Sequence, residues 1–195
     1  EPKPPFLAGS IIGFRVWRSD ALLRALRSGA SGALWNAEGG ATRAVCPVAV
    51  GERHETPGKN CTCGLYAWHA RQVPGPMARE ISKGSPRKVV GIVEAWGRIQ
   101  LHPMGFRAEF ARPVAFINPY LGTETGLAKQ ERLTYECRLL ELAERCGAEL
   151  IDPAAGDSVI NWVRKDQRYL SPKTPRTLIG RRRHLPRGRR VWRTD

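Results

Sequence analysis

Long hydrophobic runs are missing from this sequence, and so is the start that is typical of a secreted protein. No window approaches the roughly 18 consecutive apolar residues that a membrane helix needs, because Gly or charged residues interrupt stretches such as Val89–Ala95. Residues 1–5 do not show the basic start followed by an apolar segment that marks a signal peptide. Together these absences predict a cytoplasmic protein with no membrane partner.

Familiar catalytic motifs are also missing. The sequence contains no Gly-rich phosphate-binding loop, no Gly-x-Ser-x-Gly segment and no His-x-Glu followed by Pro-Cys-x-x-Cys. These motifs carry phosphate binding, nucleophilic hydrolysis and base deamination. Their absence favours a non-catalytic protein, and an enzyme such as a nuclease or a base-modifying hydrolase ranks third among the functions considered.

Acidic residues are scarce relative to basic ones. The 195 residues include 32 Lys+Arg and 18 Asp+Glu, so the formal net charge is +14, and the pI is near 10.4. Residues 164–195 hold 12 Lys+Arg and two Asp, a net charge of +10, which leaves +4 for residues 1–163. Such an uneven, strongly basic balance predicts a polyanionic partner, and above all nucleic acid.

The basic tail, residues 164–195, is rich in arginine towards its end. Arginine donates paired hydrogen bonds to phosphate and stacks on bases, and tryptophan adds a flat surface for stacking. The residues of the tail that we predict to bind nucleic acid are Arg181, Arg182, Arg183, Arg187, Arg189, Arg190, Trp192 and Arg193. DNA and structured RNA are equally compatible with this composition. The alternatives are a solvated charge run without a partner and an anionic membrane surface.

Five cysteines, an odd number, argue against a secreted disulfide framework. Three of them and one histidine fall within 18 residues of sequence, at Cys46, His54, Cys61 and Cys63. Three thiolates and an imidazole are a common ligand set for structural zinc, so the sequence predicts a bound zinc ion. Buried free cysteines are the alternative for this set, and His69 is the alternative fourth ligand.

Alternating apolar residues predict three main strands. Ile11–Trp17 alternates over its whole length, and Val89–Leu101 followed by Phe106–Ile117 predicts a long hairpin. Between residues 19 and 29 the pattern is compatible with a short helix capped by Ser19 or Asp20, and also with a hairpin.

One long helix is predicted from about residue 126 to residue 146, with Gly147 as its C-terminal cap. Its apolar side is formed by residues that are spaced by four, three and four positions, namely Tyr135, Leu139, Leu142 and Cys146. Three further residues are expected to broaden that side, namely Leu133, Cys137 and Leu140. Short strands are predicted at residues 149–152 and 158–163.

These elements predict an α+β fold. A small, strongly curved antiparallel sheet or barrel carries a zinc-bound loop and one long helix over residues 11–163. A Pro-rich arm, residues 1–10, precedes this domain, and the basic tail follows it.

The predicted hairpin brings an aromatic residue close to arginines. Trp96 and Arg98 are expected on one face of the first strand, and Arg107 on the return strand. Aromatic and arginine side chains in such a group stack bases and contact phosphates, so all three are candidate nucleic-acid contacts. The structural alternative is a core tryptophan beside a cross-strand Glu/Arg pair.

Two resemblances add to this interpretation. The segment Cys46, His54 and Cys61-Thr62-Cys63-Gly64-Leu65-Tyr66-Ala67, followed by Trp96-Gly97-Arg98, resembles a set of small actinobacterial and actinophage proteins over roughly residues 11–117. This resemblance implies a zinc site and no particular activity. The Gly-Leu-Tyr-Ala strand start and the curved hairpin are also similar to PUA-like barrels, some of which recognise modified bases.

The sequence as a whole therefore predicts a non-catalytic, zinc-stabilised protein that binds nucleic acid and has a regulatory role. The second candidate is an adaptor that docks on a large protein or ribonucleoprotein assembly and uses the tail as its anchor.

Overall fold

The computed structural model describes five stretches of the chain, namely residues 9–29, 32–46, 54–69, 87–118 and 129–151. The Pro-rich arm up to residue 8, the strand predicted at residues 158–163 and the basic tail lie outside the described residues. Within the five stretches, no helix has the length and apolar character needed to cross a membrane.

The described residues form eight strands and one helix. The strands are β1 (Ile11–Arg18), β2 (Leu26–Ser28), β3 (Leu34–Trp35), β4 (Thr42–Arg43), β5 (Leu65–His69), β6 (Lys88–His102), β7 (Gly105–Ile117) and β8 (Glu149–Ile151). The helix α1 (Lys129–Cys146) lies between β7 and β8 in the chain. A sheet with one helix agrees with the predicted α+β class.

Four strands pair in a closed cycle. Strand β1 pairs with β5 and with β6, and β7 pairs with the same two strands. Strands β2, β3, β4 and β8 extend the sheet beyond this cycle, so it is not the plain barrel that was one of the predicted options. The expectation of a wholly antiparallel sheet was wrong at β8, which pairs with β7 in parallel. The helix between these two strands carries the chain back along the sheet, so that β8 can run in the same direction as β7, as parallel pairing requires.

The hairpin of β6 and β7 confirms the prediction from alternating residues. Its register shifts between Trp96 and Ile99, where Gly97 and Arg98 together oppose Glu109. Gly97 has φ +77°, a conformation that glycine adopts without strain. The extra residue is a β-bulge, which bends the strand and redirects the side chains beside it.

Two hydrophobic clusters lie on opposite faces of β6. Val89, Val93 and Ala95 belong to the larger cluster, and Val90 and Ile92 to the smaller one. The predicted alternation is therefore present, and both faces of this part of the strand are buried.

Trp17 belongs to the larger cluster and is fully buried. Its ring meets Trp35 edge to face at 5.5 Å and Phe116 at 5.8 Å between centroids. Edge-to-face pairs contribute about 0.5–1.5 kcal/mol beyond their buried area. The aromatic contacts therefore join β3 to β1 and β7.

Helix α1 packs through a narrow apolar side. The four residues predicted for that side are all buried, namely Tyr135, Leu139, Leu142 and Cys146. The predicted broadening was wrong, because the residues expected to supply it are exposed, namely Leu133, Cys137 and Leu140. At the C-terminus Gly147 has φ +60° and donates to the carbonyl of Glu144, while Ala148 donates to that of Ala143. This hydrogen-bond pattern is a Schellman cap.

The segment after β1 forms a hairpin. Asp20 Oδ1 accepts hydrogen bonds from the backbone N–H groups of Leu22 at 3.1 Å and Arg24 at 2.9 Å. The turn leads into β2, which pairs with β1. Of the two structures compatible with the sequence, the hairpin is present and the capped helix is not.

Replacing Gly13 with Ala is expected to reduce the free energy of unfolding by about 1–3 kcal/mol, the range typical of an overpacked core. A Cβ at Gly13 would lie 2.6 Å from Phe106 Cε1 and 2.8 Å from the Cβ of Ala67, and both side chains are buried. Thermal and urea unfolding measure the change. Gly29→Ala is the matched control, since no heavy atom lies within 4 Å of its Cβ position. Equal stability of the two variants would contradict this account of the core.

Candidate metal centre

Three separate segments bring the cysteines and the histidine together. Cys46 follows β4 closely, and this chain segment is held to β7 by the N–H of Ala44, which donates to the carbonyl of Glu109 at 2.7 Å. The Thr56 hydroxyl donates to the Ala44 carbonyl at 3.0 Å and so holds the His54 segment beside it. Cys61 and Cys63 lie just before β5, which pairs with β1 and β7.

The four side chains converge on one point. One ligand atom from each of Cys46, His54, Cys61 and Cys63 lies within 4.8 Å of all the others. We call this group the Cys/His cluster. The sulfurs of Cys46 and Cys61 are 3.5 Å apart, and His54 Nε2 is 3.2 Å from the Cys63 sulfur. A tetrahedral ion with metal–sulfur bonds of about 2.3 Å places its sulfurs about 3.8 Å apart. The spacing therefore fits a bound metal ion.

The cysteines of the cluster are free thiols that differ in environment. Cys46 and Cys61 are partly exposed and Cys63 is buried. Burial raises the pKa of Cys63, although its sulfur accepts a hydrogen bond from the Gly58 N–H at 3.2 Å. A hydrogen bond from the Cys63 backbone is the main cause that lowers the pKa of Cys61 to about 7. Metal binding requires thiolates, and the lower pKa of Cys61 favours its thiolate form more than that of Cys63.

Two glycines allow the backbone to close around the cluster. A Cβ at Gly58 would lie 2.7 Å from His54 Nε2, and this space must stay empty for the imidazole to reach the thiols. Gly64 has φ +126°, and its Cβ would lie 3.0 Å from that of Arg107. The chain thus turns from Cys63 into β5 at a position where other residues would be strained.

Arg107 donates hydrogen bonds to the loop that carries Cys61 and Cys63. Its guanidinium donates to the backbone carbonyls of Cys63 at 3.0 Å, Gly58 at 3.4 Å and Cys61. It also donates to the side chain of Gln100, its cross-strand partner. The residue is only 4% exposed. A single side chain from β7 therefore holds the loop backbone at three points, Gly58, Cys61 and Cys63.

His102 completes the surroundings of Arg107. Arg107 Nε donates to His102 Nε2 at 3.2 Å, so this imidazole is neutral, with its proton on Nδ1. Burial, together with the nearby charge of Arg107, lowers the pKa of His102. The Nε2 atom of His69 lies 2.8 Å from the backbone carbonyl of His102.

The structure brings His54 to the three thiols, and not the alternative ligand His69. Cys137 and Cys146 lie apart from the cluster. Cys137 is exposed, whereas Cys146 is buried and donates to the Ala37 carbonyl at 3.3 Å. Burial raises the pKa of Cys146 to about 11.

The hairpin residues predicted to bind nucleic acid occupy different positions. Trp96 and Arg98 are partly exposed, and Arg98 forms an ion pair with Glu55. Arg107 was expected on the binding face of the hairpin, but it is buried behind the cluster. Its apolar neighbours Phe106 and Ala108 place it on the other face of the strand, and nothing near it in the sequence indicates that a loop covers this face. The predicted contacts of the basic tail lie outside the described residues.

The four side chains could supply all four positions of a tetrahedral metal ion. A catalytic metal usually keeps one position for water or substrate. Glu55 is the acidic side chain next to His54 in the sequence, and it is paired with Arg98.

Cys61→Ser is expected to lower the bound metal from about one ion per chain to far below one, because structural metal binding depends on a full ligand set and is coupled to folding. Elemental analysis of protein purified without chelator measures the metal, and thermal unfolding measures the accompanying loss of several kcal/mol in stability. Cys137→Ser is the control, since this exposed thiol lies outside the cluster. Wild-type protein without metal would contradict the assignment.

Arg107→Ala is expected to weaken metal retention by about 10–100-fold, the usual effect of removing a group that orients ligands. Arg107→Lys should restore little, because an ammonium group cannot reproduce the planar fork that contacts several carbonyls. Competition with a colorimetric chelator measures the affinity. Arg24→Ala removes an exposed arginine as the charge-matched control. Retention equal to wild type in Arg107→Ala would show that the hydrogen bonds do not organise the ligands.

Comparison with protein-family models, with curated proteins and with solved structures gives no match for this chain. The resemblances noted in the sequence, to small actinobacterial and actinophage proteins and to PUA-like barrels, stay expectations. The contacts of the Cys/His cluster and the distribution of charge are therefore the basis for assigning a function.

Proposed function

We propose that this protein is a zinc-stabilised, non-catalytic protein that binds nucleic acid. The observation that carries the proposal is the distribution of charge, since +10 of the total +14 belongs to residues 164–195. Residues 11–163 supply a stable domain to which the basic tail is attached. The metal holds the loops of that domain, and the tail provides most of the attraction to phosphates.

Zinc is the metal that the ligands favour. Three thiolates and one imidazole are soft or borderline donors, which select zinc over the hard cations magnesium and calcium. The filled d shell of zinc imposes no preferred coordination geometry, so a tetrahedral site suits this ion. Elemental analysis that finds another metal, and no zinc, would contradict this part of the proposal.

A non-catalytic role is supported by the closed ligand shell. Metal-assisted hydrolysis requires an ion with an open position and a nearby group to accept a proton. The cluster offers four protein ligands, and the neighbouring Glu55 is paired with Arg98. We therefore expect no hydrolysis of DNA or RNA when magnesium, manganese or zinc is added.

Arginine favours nucleic acid as the anionic partner. A guanidinium matches the geometry of phosphate and keeps its charge at every physiological pH. Contacts of this kind involve the backbone more than the base edges, so the affinity should depend weakly on base sequence. An adaptor on a larger assembly would use the same tail, and the salt dependence of binding to random duplexes separates the two functions.

Deleting residues 171–195 removes nine Lys and Arg residues and should flatten the salt dependence of binding. With about six phosphates engaged by the full chain, the slope of log affinity against log salt for duplex DNA would be about −5. The truncated protein should lose several units of that slope, because fewer counterions are released. Fluorescence anisotropy at a series of salt concentrations measures the slopes.

The control for this deletion is the folded state of the truncated protein, which metal content and thermal unfolding report. If the truncated protein binds DNA and RNA as tightly as the full chain at every salt concentration, the tail is not the anchor. Such a result would contradict the role that we propose for the tail.

A further inference from the structure

Three neighbouring strands present an aromatic and arginine surface next to the Cys/His cluster. Arg43 of β4 pairs directly with Phe110 of β7, and Phe110 pairs directly with Trp96 of β6. Residues directly opposite each other in a sheet share a face, with side chains about 5 Å apart. The three side chains therefore form one row across the sheet, and we call this row the stacking platform.

The rings of the platform are arranged as a stack. The planes of Trp96 and Phe110 differ by 15°, with centroids 6.1 Å apart, and the Arg43 guanidinium lies 5.6 Å from the Phe110 centroid. In the core, by contrast, Trp17 meets Trp35 at 83°. Both platform rings are partly exposed. The three flat groups thus form one short column, and a planar ligand can extend this column at its end.

Cations lie on the outside of this surface, with their carboxylates beneath. The Arg43 side chain is 72% exposed, and that of its partner Glu109 is 17% exposed. Arg112, also on β7, is 48% exposed, and its partner Glu94 is 10% exposed. A ligand that touches the surface therefore meets guanidinium groups first. The carboxylates hold these groups in place, and less side-chain entropy is lost when an anion binds.

In the ion pair of Arg98, the carboxylate is the more exposed partner. The Arg98 side chain is 24% exposed and that of its partner Glu55 is 80% exposed, so this pair adds an exposed negative charge at one side of the platform. A phosphate is therefore expected near Arg43 and Arg112, and not near Arg98.

Gly97 makes room for one ring of the platform. A Cβ at Gly97 would lie 2.9 Å from Phe110 Cδ2, so a larger residue at this position would push the Phe110 ring away. Both rings belong to the long hairpin, whose strands pair on both sides of the bulge. A surface that is already ordered binds a flat ligand without first paying for a conformational change.

We propose that the stacking platform of Arg43, Phe110 and Trp96 binds the bases of single-stranded DNA or RNA, with Arg43 and Arg112 contacting the phosphates. Aromatic rings beside arginines stack bases with little regard to their identity. Bases within a duplex are stacked on one another and cannot reach a flat protein surface. This inference rests on the proposed nucleic-acid binding. In it, the tail contacts the phosphates of any nucleic acid, and the platform binds unpaired bases.

The test compares single strands with duplex in the full chain. Fluorescence anisotropy measures binding of labelled oligo(dT), labelled oligo(rU) and a random duplex of equal length to wild type, Trp96→Ala, Arg43→Ala and Arg24→Ala. We expect Trp96→Ala to weaken single-strand binding about tenfold and to leave duplex binding unchanged. Arg43→Ala should weaken single-strand binding more than Arg24→Ala, although both remove one exposed arginine. Trp96→Phe, which keeps a ring, should restore part of the affinity if Trp96→Ala is unstable.

The outcomes separate this inference from the proposed function. Single-strand binding that is unchanged in Trp96→Ala, or lost equally from single strands and duplex, overturns the platform alone. Equal losses in Arg43→Ala and Arg24→Ala also overturn it, because any arginine would then serve. Wild-type protein that binds neither single strands nor duplex at low salt overturns both the platform and the proposed function. Selective loss on oligo(rU) or on oligo(dT) identifies RNA or DNA as the strand that is bound.

Discussion

The guanidinium of Arg107 connects the sheet to the loops of the Cys/His cluster. A buried charge is stable only when it is fully hydrogen-bonded, because removing it from water costs several kcal/mol. Arg107 meets this requirement with backbone carbonyls of Gly58, Cys61 and Cys63 and with two side chains of the hairpin. A dication bound by three thiolates carries a net negative charge, which the guanidinium would balance. The loops therefore depend on β7 even though they precede it in the chain.

Strand β7 also connects the two surfaces to which we assign functions. Arg107 supports the cluster, and a few residues further along the same strand Phe110 and Arg112 lie on the stacking platform. The bulge at Gly97 lies between these regions, where two residues of β6 face one residue of β7. Because both surfaces are built on one long hairpin, their relative position is set by strand pairing.

A second buried arginine, Arg15 of β1, donates hydrogen bonds to the Tyr66 carbonyl of β5 and to the Ser28 hydroxyl of β2. Burial lowers the pKa of Arg15 to about 9.

Much of the local structure follows from the order of residues along the chain. The alternation in Val89–Leu101 predicted the long strand β6, and the spacing of Tyr135, Leu139, Leu142 and Cys146 predicted the buried side of α1. The residue types of the Cys/His cluster predicted its membership, because three cysteines and a histidine within 18 residues match a common ligand set for zinc. These features are properties of nearby residues, which periodicity and side-chain chemistry describe without reference to the rest of the fold.

Other features depend on contacts between residues that are far apart in the sequence. Arg107 lies 46 positions from Cys61, and no local pattern indicates that β7 passes behind that loop. The same holds for the closed cycle of β1, β5, β7 and β6, for the parallel pairing of β8 and for the stack of Trp96 on Phe110. The sequence by itself determined the residue types, the periodicity of the main elements and the excess of positive charge. The tertiary structure alone decided which strands pair, because register and burial depend on how all the strands close together, and this pairing places Arg107 in the interior and Arg43 at the surface.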